Sequence, residues 1–275
     1  MRASQFHRLI QWAGLGTAML LAAGWGAYAR SGTPTLASQA ATTEEQSKLE
    51  GRKAPSLPPE LRGDIMMARK EYPLAVEFYQ RALQQSGPNN PVVWNKLGIA
   101  FQQQMNFRDA RKAYQRSVHY RRDYAEAWNN LGTTWYLVSK YKKSLKFYRR
   151  AVKLTPNSAP LQLNIGTAYY WMRKYKDAVE HYRTALSLDP DILRENSAAG
   201  TVVQAHAADM GYYYYMAKVF ASLGRSDEAV RYLRHALEDG FSDFRRLDND
   251  PDFTALRKDP AYIALRENPP MPIKD

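Results

Sequence analysis

The chain contains no cysteine. That one absence excludes disulfide cross-links, thiolate metal sites, a cysteine nucleophile and a lipid anchor on an N-terminal cysteine. Acid is scarce beside base: 27 Asp and Glu stand against 39 Lys and Arg, a formal net charge of +12 over 275 residues. An excess of that sign raises anionic surfaces and nucleic acid as partners. Catalytic patterns are missing as well. There is no glycine-rich phosphate loop, no Gly-x-Ser-x-Gly elbow, and no second His or acid at metal-ligand spacing from any of His7, His119, His181, His206 and His235. No catalytic residue, metal or cofactor is therefore expected.

What the chain does have is a period. Trp94 and Trp128 stand 34 residues apart, and Gln162 follows after another 34. The neighbouring columns keep step: Leu97, Leu131 and Ile165; Gly98, Gly132 and Gly166; Phe101, Trp135 and Tyr169. In the second half of each unit Ala110, Ser144 and Ala178 align, then Tyr114, Tyr148 and Tyr182, then Ser117, Ala151 and Ala185. Pro156 and Pro190 close two of the units, and Arg122 fills that column in the other. At ~100° of turn per helical residue, Leu131, Gly132 and Trp135 share a face with Trp128, which predicts a first helix packed on a second. Gly132, with no side chain, lets the second helix come close. Ser144, Tyr148 and Ala151 alternate small and large to fit against it.

This 34-residue order of Trp, Leu, Gly and aromatic, then Ala, aromatic and Ala, resembles the tetratricopeptide repeat. The resemblance implies an all-α, right-handed superhelical solenoid of about five helix-turn-helix repeats with a C-terminal helical cap. Repeats 1–4 are expected over 57–192. The first is degenerate: Gly63, Met66, Ala75, Tyr79 and Ala82 keep their columns, but Arg62 replaces the Leu and the Trp is missing. A fifth repeat is expected over 210–240, with Met216, Ala217, Phe220, Ala229, Leu233 and Ala236 in register. Between them, 193–209 is an insertion, either a short helical extension or a lid-like loop. The helical cap is expected over 241–268, with Phe253, Leu256, Tyr262 and Leu265 inward and Asp250 and Asp259 as N-caps, followed by a proline-rich tail at 269–275.

The N-terminal end has a different character. Residues 1–29 place Arg2 and Arg8 ahead of an apolar run and end in Ala27-Tyr28-Ala29, which reads as a signal peptide or as a membrane anchor through residues 9–29. Residues 30–56 are Ser-, Thr-, Ala- and Gln-rich and read as a flexible linker. Either reading of 1–29 exports the rest across the inner membrane, leaving it periplasmic or anchored there.

Two faces remain for binding. The resemblance implies a concave groove lined by first helices, here Asn95, Lys96 and Gln102, then Asn129, Asn130, Thr133 and Tyr136, then Asn164, Thr167, Tyr170 and Trp171. Carboxamides both donate to and accept from an extended peptide backbone, and Tyr and Trp are favoured at binding hot spots. Some members of the family grip a C-terminal carboxylate through a Lys/Asn/Arg clamp. Here Glu60 and Asp64 stand where such a clamp needs neutral or positive donors, and no clamp is expected. The second face is basic. Lys142, Lys143, Lys146, Arg149, Arg150 and Lys153 fall on one arc of a second helix, opposite its apolar residues, and thus on the convex side.

The function expected is a non-catalytic protein-interaction scaffold or adaptor in the bacterial cell envelope, holding a peptide or partner protein in the groove. The alternative is an electrostatic tether that sets the basic face on an anionic membrane or polymer. Nucleic acid would answer the same charge, but an exported chain seldom meets it.

Overall fold

Each helix pair closes with the same tight turn, and that turn sets the repeat. In the computed structural model, which describes residues 57–193 and 210–273, the first helices end at Ala68, Gln103, Leu137, Trp171 and Ser222. Shortly after each end one residue adopts a left-handed conformation: Lys70, Met105, Ser139, Arg173 and Gly224, with φ between 58 and 71°. A backbone bond then spans five residues, as from Asn106 N–H to Phe101 O at 2.9 Å and from Lys140 N–H to Trp135 O at 2.9 Å. This is the Schellman closure of a helix C-terminus. Only the fifth turn uses glycine, the residue that takes positive φ without steric cost.

The pairs are α1 (Pro59–Ala68) with α2 (Tyr72–Ser86), α3 (Pro91–Gln103) with α4 (Phe107–Tyr120), α5 (Ala125–Leu137) with α6 (Tyr141–Leu154), α7 (Ala159–Trp171) with α8 (Tyr175–Leu188), and α9 (Met210–Ser222) with α10 (Ser226–Glu238). Each second helix also packs on the next first helix, so the described residues form an all-helical solenoid of consecutive pairs with no strand among them. The degenerate first pair follows the same geometry as the rest.

Within each pair one contact recurs. Gly63, Gly98, Gly132 and Gly166 lie so close to the rings of Tyr79, Tyr114, Tyr148 and Tyr182 that a Cβ would stand 2.5–2.7 Å from a ring carbon. The fifth pair makes the exchange in both partners: Ala217 holds the Gly column and Leu233 the Tyr column, and both are fully buried. A shorter side chain opposite leaves room for the extra methyl. The buried tyrosines end on polar partners of the first helix. Tyr79 donates to Asp64 at 2.8 Å, Tyr182 donates to Thr167 at 3.3 Å, and the Tyr148 and Thr133 hydroxyls meet at 3.2 Å. Ile99 holds that column in the second repeat, and Tyr114 turns to Gln102 instead, at 3.2 Å.

The tryptophan column has a polar role besides packing. Trp94 Nε1 donates to Pro88 O at 2.7 Å and Trp128 Nε1 to Arg122 O at 2.8 Å, each six residues back. Gln162 keeps the register through Nε2 to Pro156 O at 3.4 Å.

Beyond α10 the chain forms α11 (Phe244–Asn249), two 3₁₀ turns at Pro251–Phe253 and Leu256–Lys258, and α12 (Pro260–Glu267). Leu247, Phe253, Leu256, Tyr262 and Leu265 are buried against the last pair and close its apolar end. Asp250 and Asp259 cap as the sequence suggests, accepting from Asp252 N at 3.1 Å and Ala261 N at 2.8 Å. No described helix is long and apolar enough to cross a membrane. The export segment at 1–29, the linker at 30–56 and all but the first residue of the 193–209 insertion lie outside the described residues.

Candidate interaction faces

The first-helix face is organised by side-chain amides. Asn130 Nδ2 on α5 donates to Asn95 Oδ1 on α3 at 3.0 Å, and Asn164 Nδ2 on α7 donates to Asn129 Oδ1 on α5 at 2.9 Å. Within α5, Asn129 Nδ2 donates to Asn130 Oδ1 at 3.3 Å. Asn95 Nδ2 donates to Glu126 Oε1 at 2.9 Å. The four asparagines therefore form one ladder across three repeats. Column register explains it: each bond between repeats links residues 35 apart, one repeat plus one position. The ladder stops at α7, where Leu163 replaces the donor that Asn129 supplies in α5. Asn164 Oδ1 is thus buried without a hydrogen-bond partner among the described residues.

The expected lining is narrower than single-helix angles suggest. Asn95, Thr133, Tyr136, Asn164, Thr167 and Tyr170 are buried, whereas Lys96, Gln102, Asn129 and Asn130 are partly exposed and Trp171 is 38% exposed. The reason is that successive first helices also pack on one another, α3 on α5 and α5 on α7, which covers positions a lone helix would present. Trp171 stacks on Tyr141 with centroids 6.3 Å apart, and Tyr170 meets Tyr175 at 5.6 Å. Tyr214 and Tyr215, two aromatics of the last first helix, belong to the core. Tyr214 stacks on Phe241 at 4.9 Å, and Tyr215 on Tyr175 at 4.3 Å.

Lys96 is occupied. Its Nζ lies 2.8 Å from Glu60 and 2.7 Å from Asp64. Burial works against its charge, but the hydrogen bonds to Asp64 and Glu60 outweigh that and hold its pKa above the ordinary lysine value. The acids in the first repeat thereby take up the cation that a carboxylate clamp would need.

On the opposite side, all six cations of α6 are exposed: Lys142, Lys143, Lys146, Arg149, Arg150 and Lys153. Ser144, Leu145, Tyr148 and Ala151 of the same helix are buried, so the helix divides as its spacing requires. Lys143 Nζ and the Arg111 guanidinium both approach the Trp135 ring, at 4.6 and 4.5 Å. Arg149 donates to the Tyr169 hydroxyl at 3.0 Å.

Sequence reasoning missed the polar join between α9 and the cap. Lys218 Nζ sits 2.7 Å from Asp250 and 3.1 Å from Asp252, Tyr214 donates to Asp250, and Arg246 donates to the Tyr215 hydroxyl at 2.7 Å. Burial raises the Asp250 carboxyl, but hydrogen bonds from Lys218, Tyr214 and the Asp252 amide more than reverse that, and its pKa falls below the ordinary value. The one available signal was Lys218 itself, a cation in the column that holds Asp64, Ile99, Thr133 and Thr167 in the preceding repeats. Among the described residues, no cluster of three or more His, Cys, Asp or Glu is placed to hold a metal.

Family models described as tetratricopeptide repeat match residues 95–159, 159–192 and 211–238. Among curated proteins none matches the chain. Similar solved structures include MamA 41-end from Desulfovibrio magneticus RS-1, 16% identical, covering 67% of this chain and 96% of that one at a TM-score of 0.48. A second is YrrB, titled a TPR protein with an unusual peptide-binding site, 16% identical, covering 74% and 95% at 0.46. A third is TTC0263, a thermophilic TPR protein of Thermus thermophilus, 20% identical, covering 68% and 92% at 0.46.

Proposed function

With residues 95–192 and 211–238 made of tetratricopeptide repeats, we propose that the chain is a non-catalytic interaction scaffold that holds an extended segment of a partner protein along its first helices. The observation that carries this is the amide ladder. Asn129 and Asn130 remain partly exposed, and the ladder ends at Asn164 in a buried acceptor with no partner among the described residues. Asn129 and Asn130 each spend one amide N–H in the ladder and keep a second to donate to an extended backbone. Exposed Trp171, at the end of α7, supplies apolar area for a side chain of the same segment.

The competing reading, an electrostatic tether through α6, rests on its six exposed cations. The two differ in their response to salt, because at about 1 M the screening length is ~3 Å and exposed charges no longer reach a partner. Extended peptides selected from a display library on the intact chain provide the test. Groove binding predicts that their affinity survives high salt and falls ~10-fold or more with Asn129→Leu/Asn130→Leu or Trp171→Ala. Loss with salt alone, and with Lys142→Glu/Lys146→Glu alone, would establish the tether.

The same proposal sets the scaffold in the cell envelope, supported only by the basic residues ahead of the apolar run in 1–29. Cell fractionation of the full chain tests it, and recovery in the cytosol would reject it.

A further inference from the structure

We propose that the recess between α4, α5 and α6, on the second-helix side and away from the amide ladder, binds an acidic peptide segment through one aromatic anchor side chain. The recess has a volume of about 540 Å³, within the range of ligand pockets. Its floor is aromatic. Trp128 and Phe147 lie nearly parallel, with centroids 6.2 Å apart and planes 17° from parallel. The Trp128 N–H is tied to Arg122 O at 2.8 Å, which satisfies the polar edge of the indole and fixes the ring. The rim is cationic: Arg122, Arg150 and Lys153 line it together with His119, and no carboxylate does.

The neighbouring repeat boundaries show what is particular here. One repeat earlier, between α2, α3 and α4, a recess of about 600 Å³ has Trp94 in the Trp128 column and Arg116 in the Arg150 column. There Ala113 replaces Phe147 and Phe101 supplies a second ring from another position, but the rim is of mixed charge: Asp109 lines it, paired to Lys112 at 2.9 Å. One repeat later, His181 holds the Phe147 column and meets Gln162, in the Trp column, at 2.8 Å, so that floor is polar and occupied by its own side chains. Only the α4–α6 boundary of these three joins a two-ring apolar floor to a rim of like charge.

That combination selects its occupant. An apolar floor favours a ring, because aromatic burial and ring-on-ring packing act there, and flanking carboxylates meet the rim cations. A flat bilayer would touch the rim and the outer cations Lys142, Lys143, Lys146 and Arg149 but would leave the floor unfilled.

The test uses the full chain and two fluorescein-labelled peptides, Glu-Glu-Phe-Glu-Glu and Glu-Glu-Ser-Glu-Glu, read by fluorescence anisotropy. The Phe peptide should bind at least ~10-fold tighter than the Ser peptide. Arg150→Ser/Lys153→Ser should weaken it ~10-fold or more, while Lys142→Ser/Lys146→Ser, which removes the same charge outside the recess, should weaken it less than ~3-fold. All four side chains are exposed, and the variants should keep the wild-type helical circular dichroism. Equal affinity for the two peptides, or equal loss in the two double variants, overturns the proposal. So does binding to phosphatidylglycerol vesicles under conditions where the Phe peptide stays free, which assigns the cations to a membrane surface.

Discussion

Replacing Gly132 by Ala tests how the repeat is held together. The new methyl would stand 2.6 Å from both Cδ1 and Cε1 of Tyr148, about 1 Å inside ordinary carbon contact. Tyr148 is fully buried and its hydroxyl is engaged by Thr133, so the ring has little room to retreat. Overpacking of this kind costs ~1–3 kcal/mol, and about 1 kcal/mol returns from the better helix propensity of Ala. A 2.6 Å contact against a ring that cannot retreat falls in the upper half of that range, so the net loss should be roughly 1–2 kcal/mol. Tyr148→Leu alone leaves a cavity and should cost roughly 2–3 kcal/mol. If the ring is the obstacle, the double variant reproduces the Ala217 and Leu233 pair that the fifth repeat already contains, and the added methyl fills part of the space. Its loss should then be no larger than that of Tyr148→Leu alone, a coupling of about 1–2 kcal/mol. Urea unfolding of the four proteins, followed by circular dichroism in the helix band, measures it. Additivity within ~0.5 kcal/mol would refute the argument.

Three further outcomes are expected. Arg173→Gly places glycine at φ 59° and should stabilise by a few tenths to about 1 kcal/mol; thermal melting that shows a loss would contradict the strain assigned to that turn. His181 is held below its ordinary pKa of 6.5, chiefly by burial. Protonation then favours the unfolded chain, so stability should decline as pH falls through about 6.5, and His181→Gln should flatten that slope in urea titrations between pH ~5 and ~7.5. Asp250, whose folded pKa is lowered, contributes stability above its ordinary value of 3.8 and loses it as pH falls below that. Asp250→Asn should therefore weaken the cap at neutral pH, raising amide hydrogen exchange across 244–267, with little change across 91–154.

Much of the fold was legible because the repeat states its rule several times. A Gly at 98, 132 and 166 facing a Tyr at 114, 148 and 182 is a spacing that only a helix pair explains, and the structure adds its distance. The basic arc of α6 was readable for the same reason, since exposure on a second helix depends mainly on that helix's own periodicity. The groove was harder to read. Angles about one helix placed Thr133, Tyr136, Thr167 and Tyr170 toward a partner, but burial there is decided by the next first helix in the stack. The asparagines could be aligned in columns, yet their bonds run diagonally from one column to its neighbour in the next repeat. The clamp around Lys96 was half visible, because Glu60 and Asp64 stood out as wrong for binding a carboxylate, though nothing in the spacing said they would seize Lys96 themselves.

By itself the sequence determined the period, the helix pairing, the closure of the last repeat by Phe253, Leu256, Tyr262 and Leu265, and the side on which charge collects. These follow from local periodicity and side-chain size, which neighbouring residues settle among themselves. Only the tertiary structure decided that Asn164 ends its ladder with no donor to its oxygen among the described residues, that Lys218 binds the cap, and that Trp128 and Phe147 floor a cationic recess. Each of those depends on the offset between repeats, and that offset is set by how whole helices pack.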